Sequence, residues 1–509
     1  MTYKHYHGHK VWRWNARGFN QTSLCVFVMA EETIRLLGEP KNVVMRFAPN
    51  PNGPLTIGHA RGVVVNSHLV KKYGGKFILR FDDTDPNVKK PMPEAYDWIL
   101  TDVKWLGAAP DEVIKCSENI ESYYKHAVEL IKLGGAYACN CTQEQFKRLK
   151  DNKQCCKHRD ASVDENLRLW GEMVAGTHDE KTYVLRIKTD LECEDPALRD
   201  WVAFRIAKDE HPIAGTKYPV WPMLDFAGAI EDHVRGTTHI IRGKDLMDSE
   251  KRQVFVYKYF GWTYPETLHW GRIRLEEFGK FSTSQMRKDI EEGKYSGWDD
   301  VALPTLMALR RRGIRPEAIR EFMLSLGLSE TDVSLTMENL YAVNRHMIDP
   351  VTNRYFFVEN PVPFIVDSIT HRMPCKTVRM PLHPASKEKV REWTMCEGDK
   401  IYISQKDASE LKPGDAVKLI GLYIFDIVGV SDVVHASFTR RDDKKAKKIQ
   451  CLQEHLECEI LKPEGKATGI CEPATQNVQV GEVIQFERYG FARLENKADG
   501  KLSFIYTHN

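Results

Sequence analysis

The stretch Lys41-Asn-Val-Val-Met-Arg-Phe-Ala-Pro-Asn-Pro-Asn-Gly-Pro-Leu-Thr-Ile-Gly-His-Ala-Arg-Gly62 decides how this chain is read. Val43 to Ala48 is an apolar β run, Pro49 to Pro54 is a turn of Pro, Asn and Gly, and a helix opens near Thr56. A strand that passes through a Gly-bearing turn into a helix N-terminus forms a cradle for an anion. The first-turn N–H groups have no intrahelical acceptor and point at whatever sits beyond the turn. Spacing alone is equally satisfied by any β-α unit with a Pro-rich turn.

Working outward, the helix should run from Ile57 to Tyr73 and stop at Gly74-Gly75. Lys76 to Phe81 reads as a second buried strand, ending in Asp82-Asp83-Thr84-Asp85-Pro86, with helical patterns at Glu94 to Leu106 and Ser117 to Leu133. The alternation resumes with a helix over Ala227 to Val234, the strand Thr238 to Gly243, a helix over Ser249 to Phe260 and a last strand, Thr267 to Leu275. Strands alternating with helices predict a doubly wound parallel sheet that binds its ligand at the C-terminal strand ends. Arg46, Asp82 and Arg242 each lie in or at the end of such a strand. Among the carboxylates after the second strand, Asp82 is the candidate for a buried role, whereas Asp83 and Asp85 fit a capped, solvated turn. A Ser/Thr/Lys loop, Gly279-Lys-Phe-Ser-Thr-Ser-Gln-Met-Arg-Lys288, follows the last strand.

Between the two halves of this pattern the text changes. Tyr137-Ala-Cys-Asn-Cys-Thr142 precedes a capping box, Thr142 with Gln145, for a helix to about Lys150, and Cys155-Cys-Lys-His-Arg159 follows. Cys139, Cys141, Cys156 and His158 make a C-x-C…C-x-H set suited to tetrahedral zinc, with Cys155 as an alternative to Cys156; a group of ordinary reduced cysteines reads the same way. Residues 160–216 are mixed α+β, with strands near Tyr183 to Lys188 and Phe204 to Ala207. From Gly297 to Arg345 the chain is largely helical, and the run Arg310 to Arg312 reads as a solvated face or an RNA-backbone contact. After Pro350 come short β runs separated by turn residues, which predict one or two antiparallel barrels. Lys444, Lys445, Arg488 and Arg493 lie there among aromatic rings, a combination that holds unstacked bases, although a charged hairpin carries the same residues.

Composition limits the options. With 509 residues the chain can hold three or four domains. Lys and Arg (73) nearly balance Asp and Glu (71), so bulk charge neither requires nor excludes a nucleic acid, and any RNA site must be a local patch. Twelve cysteines without even spacing suit a reducing compartment and a metal site better than disulfides. The apolar Ser23 to Ala30 is too short to span a membrane, and Glu31-Glu32 replaces a cleavage site, so a soluble cytoplasmic protein is expected, with no membrane partner. Residues 1–40 remain an unassigned extension, its first thirty rich in His, Trp and Tyr.

The string Pro49-Asn-Pro-Asn-Gly-Pro-Leu-Thr-Ile-Gly-His-Ala60 resembles the P-x-P-N-G-x-L-H-I-G-H-A signature of class I aminoacyl-tRNA synthetases, in the glutamyl/glutaminyl branch. Gly75 to Pro86 looks like the next block of that family. Lys280, Ser282 and Ser284 fall on the first, third and fifth positions of its KMSKS loop. The resemblance covers about residues 41–509. It implies an α/β plus all-β chain: a Rossmann-type catalytic domain (41–135 and 217–290), an acceptor-end insertion with a candidate zinc site (136–216), a helical connecting domain (291–350) and anticodon-reading β-barrels (351–509). It implies ATP with Mg²⁺, L-glutamate and tRNA(Glu) as substrates, with tRNA(Gln) as a second candidate RNA. The ATP region is then Pro49, Asn50, Pro51, Asn52, Gly53, Pro54, Leu55, Thr56, Ile57, Gly58 and His59. Gly58 lets adenine approach, and His59 meets the phosphates.

By the same resemblance Arg46 and Arg242 bind substrate carboxylates and Asp82 the amino group, with Arg242 selecting glutamate over glutamine. Three departures stand out. Thr56 replaces the first His of HIGH, Thr283 the second Lys of KMSKS, and Leu224 a Tyr that lines the substrate. Arg287 or Lys288 is expected to supply the charge that Thr283 lacks. The alternatives are a glutaminyl enzyme on the same scaffold and an inactive tRNA-binding paralogue. The retained hydroxyls at Thr56 and Thr283 speak against the second.

Overall fold

The computed structural model describes residues 34–278, 282–367, 372–439, 445–498 and 500–509. Lys280, Lys444 and residues 1–33 lie outside that set. Strand β1 (Val43–Phe47) pairs in parallel with β2 (Gly75–Phe81), and β2 with β3 (Glu112–Lys115), a short strand that the sequence reading leaves unassigned. Helix α1 (Ile57–Tyr73) connects the first two strands, and α2 (Pro93–Trp105) and α3 (Ile120–Lys132) follow. Gly75 has φ +129°, and a Cβ there would stand 2.1 Å from the Val43 carbonyl, so only glycine lets β2 start this close to β1.

An antiparallel four-stranded sheet is inserted next: β4 (Ala136–Cys139), β5 (Val184–Ile187), β6 (Val202–Ile206) and β7 (Val220–Pro222). Helices α4 (Gln143–Asp151) and α5 (Val163–Val174) lie between β4 and β5, and α4 starts with the expected Thr142–Gln145 capping box. Helix α6 (Leu224–Val234) leads back to β8 (His239–Gly243), α7 (Met247–Phe260) and β9 (Glu266–Trp270). The parallel pair β8–β9 lies beside β1, joined through Thr238: its amide donates to the Val44 carbonyl at 3.0 Å, and its Oγ1 accepts from the Val44 amide at 2.9 Å. The expected last strand is broken at Gly271, after which Ile273–Leu275 pairs with Val333–Leu335.

The connecting region carries α8 (Thr283–Glu291), α9 (Leu306–Arg311), α10 (Pro316–Ser325) and α11 (Met337–Ile348). The remainder forms two large curled β-sheets, consistent with the expected barrels, and a separate two-stranded hairpin. The chain places Arg354–Tyr355 and Phe357–Glu359 at the two edges of a seven-stranded sheet, then builds a six-stranded sheet, and returns to complete the first with its last five strands. Pairing is mostly antiparallel; parallel pairs such as Leu456–Lys462 with Lys501–His508 join segments that are distant in sequence. Two expectations change here. Cys375 and Cys396 form a disulfide across the hairpin Lys376–His383/Ser386–Met395, rather than staying reduced. The Arg310–Arg312 run is not a solvated face either: Arg312 is buried and donates to the carbonyls of Tyr506 (3.3 Å) and Thr507 (2.7 Å), and Arg311 pairs with Glu495 at 2.7 Å.

Beside this junction His508 is buried against α11. The Arg315 amide donates to Asn344 Oδ1 (2.9 Å), so Asn344 Nδ2 must donate to His508 Nε2 (2.8 Å), while His508 Nδ1 faces the Asn509 carbonyl at 2.8 Å. Only the neutral imidazole satisfies both contacts, and burial lowers its pKa to about 4. A depressed His pKa means that the unfolded chain takes up the proton first as pH falls. Stability is therefore complete above the unfolded pKa of 6.5 and is lost towards 4. Urea titrations of the wild type and of His508→Gln should show the wild type losing about 3 kcal/mol more across that window.

Candidate active site

The signature turn is stitched to its surroundings on three sides. Asp82 N donates to the Pro49 carbonyl (3.0 Å) and Met92 N to that of Pro51 (2.8 Å), which fixes the turn against the end of β2 and the start of α2. Asn50 Nδ2 donates to the Asp82 carbonyl at 2.9 Å. From the connecting region, Leu306 N donates to the Leu55 carbonyl (2.8 Å), and Ile57 N donates to that of Pro304 (3.0 Å). The two signature loops meet at Gly53, where a Cβ would come within 2.5 Å of the Thr283 methyl. Pro51, Gly53, Pro54, Leu55 and Ile57 are buried, Asn52 is half-buried and Gly58 is exposed at the first turn of α1.

At the N-terminus of α1, the Thr56 amide donates to His59 Nδ1 at 3.1 Å, which assigns the ring proton to Nε2. The Thr56 hydroxyl also lies 3.1 Å from Nδ1 and so is directed to the imidazole. Thr56 thus orients His59, whose ring is exposed with an Nε2–H donor available for phosphate. Ser282 caps α8 by accepting from the Gln285 amide (3.1 Å), and Ser284 is exposed in the first turn of that helix. Arg287 and Lys288 pair with Glu291 (3.5 Å) and Glu292 (3.6 Å) on the open face of α8; such exposed pairs are weak and leave both cations accessible.

At the strand ends the charges form one cluster. Asp232, buried on α6, accepts from Arg46 Nε (2.9 Å) and Arg80 Nη1 (2.9 Å), and the two guanidiniums hold its carboxyl below the ordinary range despite burial. Arg80 also binds Asp82 through Nε at 2.7 Å. Arg242 is buried beside them but reaches only neutral acceptors, Gln253 Oε1 (3.1 Å) and the Tyr264 hydroxyl (3.2 Å), and its Nε has no partner among the described residues. Burial and the nearby Arg46 lower its pKa. Among these five residues, three guanidiniums face two carboxylates, which leaves one unbalanced positive charge. Leu224 stands at the start of α6 and is 46% exposed, so it does not close a pocket wall.

The sequence reading misses three of these participants. Arg80 shares a strand face with Asp82, a period-two relation that could have found it. Asp232 lies in the apolar stretch Ala227-Gly-Ala-Ile-Glu-Asp232, where an acidic pair is itself a signal. Asp83 overturns its assignment to a solvated turn. It is fully buried and accepts from the Ser117 amide, the Ser117 hydroxyl and the Tyr96 hydroxyl, each at 2.7 Å. His211 of the insertion holds the same turn by bonding the Asp83 carbonyl at 2.7 Å.

In the insertion, one ligand atom each from Cys139, Cys141, Cys156 and His158 lies within 4.8 Å of the others. Cys139 Sγ and Cys156 Sγ are 3.9 Å apart, and Cys141 Sγ is 3.5 Å from His158 Nδ1. A tetrahedral ion with bonds of about 2.3 Å to sulfur needs sulfurs about 3.8 Å apart, so the set fits such an ion. Cys155 is exposed and outside the group. In the β region, Arg488 makes a two-pronged pair with the buried Asp407 (2.9 Å to each oxygen) while its own side chain stays 43% exposed, and Arg493 Nη1 donates to the Arg311 carbonyl (3.4 Å). Lys445 is exposed.

Removing the charge of Asp232 leaves two buried guanidiniums without their shared acceptor. Asp232→Asn should lose about 3–5 kcal/mol of stability, read as a lower urea midpoint at an unchanged slope.

The family described as "tRNA synthetases class I (E and Q), catalytic domain" matches residues 42–350, and two anticodon-binding domain families of the same group match residues 352–440 and 438–495. A glutamate–tRNA ligase of Methanosarcina acetivorans is 52% identical over 92% of this chain and 82% of its own length. Those of Archaeoglobus fulgidus (50%; 92% and 84%) and Pyrococcus abyssi (46%; 92% and 83%) match over similar spans. Given a signature turn, a parallel sheet and tandem β modules in one chain, and identity at this level over nine-tenths of it, the chain belongs to the class I aminoacyl-tRNA synthetases of the glutamate and glutamine (E and Q) group.

Proposed function

We propose that the chain is a glutamate–tRNA ligase of the archaeal type. The glutamate α-carboxylate attacks the α-phosphate of ATP, pyrophosphate leaves, and the glutamyl-adenylate then acylates the terminal ribose of tRNA(Glu). The observation that carries this reading is the single unbalanced guanidinium of Arg242 among Arg46, Arg80, Asp82 and Asp232. L-Glutamate brings one net negative charge, whereas glutamine brings none. A guanidinium fork also takes a carboxylate through two hydrogen bonds, where an amide offers one acceptor. The names of the curated relatives support the same amino acid.

On this reading the protein contributes position and charge rather than a covalent intermediate. His59, oriented by Thr56, donates Nε2–H to a phosphate oxygen, and Ser282 and Ser284 with Arg287 and Lys288 serve the departing pyrophosphate, a role that the motif also gives to Lys280. Mg²⁺ enters with ATP. Arg80 holds Asp82 through both oxygens (2.7 and 3.3 Å), and the remaining lone pairs of that carboxylate take the substrate ammonium. The β modules read tRNA(Glu), with tRNA(Gln) as the control RNA. The work is cytoplasmic; among the described residues no helix is long and apolar enough to cross a membrane. Zinc held by Cys139, Cys141, Cys156 and His158 would fasten β4 to the segment after α4, a structural task.

Charging of tRNA(Glu) and tRNA(Gln), each with glutamate and with glutamine, tests the assignment. Glutamate on tRNA(Glu) is the expected product; equal use of glutamine would overturn it, and tight RNA binding without charging would favour the inactive paralogue. Arg242→Ala should lower kcat/KM for glutamate by about thirtyfold to a few thousandfold, on the order of 2–5 kcal/mol, with KM for ATP nearly unchanged. Elemental analysis should find about one zinc per chain, lost when Cys139 and Cys141 are replaced by Ser.

A further inference from the structure

Gln253 lies in the middle of α7 and is buried. Its Oε1 accepts from Arg242 Nη2 at 3.1 Å and from the Tyr264 hydroxyl at 2.7 Å, and that hydroxyl accepts from the same Nη2 at 3.2 Å. A guanidinium only donates, so the amide must turn its oxygen to Arg242, and the three groups close a ring in which every bond has a proper donor. Gln253 Nε2 faces Gly228 of α6, where a Cβ would stand 3.0 Å away, so the glycine gives the amide its room. Both partners of Arg242 are neutral although its charge is buried, and Glu250, one turn earlier on α7, faces His269 of β9 at 2.9 Å instead. For stability alone, glutamate would be the better residue at position 253. It has the shape of glutamine, would ionise beside a guanidinium, and would give a buried cation the counter-charge whose absence is costly.

We propose that Gln253 is a positioning residue that determines amino-acid specificity: with Tyr264 it aims the Arg242 guanidinium without neutralising it, so that the side-chain carboxylate of the substrate becomes the counter-charge. The inference rests on Arg242 receiving that carboxylate in the reaction described above. Two acceptors on one nitrogen fix the plane of the fork, while Nε has no partner among the described residues and the charge stays uncompensated. A carboxylate at position 253 would take the fork for itself and bring the cluster to three guanidiniums against three carboxylates. The site would then hold no net charge with which to tell glutamate from glutamine. The neutral amide thus gives up a stabilising ion pair and keeps the selectivity.

The test is aminoacylation of tRNA(Glu) with glutamate, glutamine and ATP varied separately, for wild type, Gln253→Glu, Gln253→Met and Tyr264→Phe, alongside thermal unfolding. Gln253→Glu should raise KM for glutamate about a hundredfold, with KM for ATP within about twofold, and lower the glutamate-to-glutamine ratio of kcat/KM by about the same factor as KM rises. It should unfold no earlier than wild type, because Arg242 gains a partner. Gln253→Met removes the acceptor without adding charge, so it should raise KM for glutamate only about tenfold and keep most of the preference over glutamine. Equal losses in the two variants would reduce Gln253 to packing and overturn the proposal, as would a wild-type KM for glutamate in Gln253→Glu. If Gln253→Glu does not fold, Tyr264→Phe decides: loss of its hydroxyl should raise KM for glutamate about threefold or more, and an unchanged value overturns the proposal. Equal use of glutamine by the wild type would instead strike at the functional assignment.

Discussion

Asp232 is the charge on which the catalytic half of the molecule depends. It is a buried carboxylate on α6 that two guanidiniums share, one from β1 and one from β2. Unpaired, any of the three would carry a desolvation cost of several kcal/mol. Together they bind the helix that follows the insertion to the two strands that precede it. Because Arg80 also grips Asp82, the orientation of the Asp-Asp-Thr-Asp turn follows from the same contact. Neutralising Arg46 and Arg80 also leaves Arg242 as the cation without a carboxylate, so the selectivity proposed for the site is a remainder of the structural pairing.

The nucleotide turn is built on a similar economy of partners. Its prolines remove amide donors and restrict the backbone, and the Pro49, Pro51 and Leu55 carbonyls are taken by Asp82 after β2, Met92 before α2 and Leu306 of the connecting region. Gly53 lets the second loop approach until the Thr283 methyl fills the space a side chain would occupy. The N-terminus of α1 is held in the same way, its Ile57 N–H bonded to the Pro304 carbonyl (3.0 Å) and its His59 N–H to that of Thr56 (2.9 Å), with Gly58 and His59 exposed at its tip. The replacement of His by Thr at position 56 is accommodated within this frame, since the hydroxyl and amide of Thr56 both serve to orient His59.

At the far side, the β modules are joined to the connecting region through backbone carbonyls of the last strand. Arg312 reaches two of them, Thr507 returns a bond to the Arg312 carbonyl, and the neutral ring of His508 completes the contact with Asn344. The run Arg310 to Arg312 thus has three different fates within three residues. Arg310 lies over Trp105 beside Asp102, Arg311 pairs with Glu495, and Arg312 is buried. Local sequence carries no information about which face of a short basic helix another module will cover.

What the sequence determined by itself is the set of features that local chemistry controls. The strand–turn–helix of residues 43–73 follows from apolar periodicity, Pro and Gly punctuation and a capping residue, and α1 spans Ile57–Tyr73 as read. The C-x-C…C-x-H spacing likewise brought four ligand atoms together, because the end of β4, one helix and the turn after it suffice to close it. The tertiary structure alone decided the fate of each charge. Asp83 rather than Asp82 is the fully buried member of its turn, the buried Asp407 takes Arg488 as its partner, and Arg46 is neutralised by a residue 186 positions away. Burying an ion demands a partner at hydrogen-bond distance, and the fold supplies that partner from segments remote in sequence, where no local pattern records it.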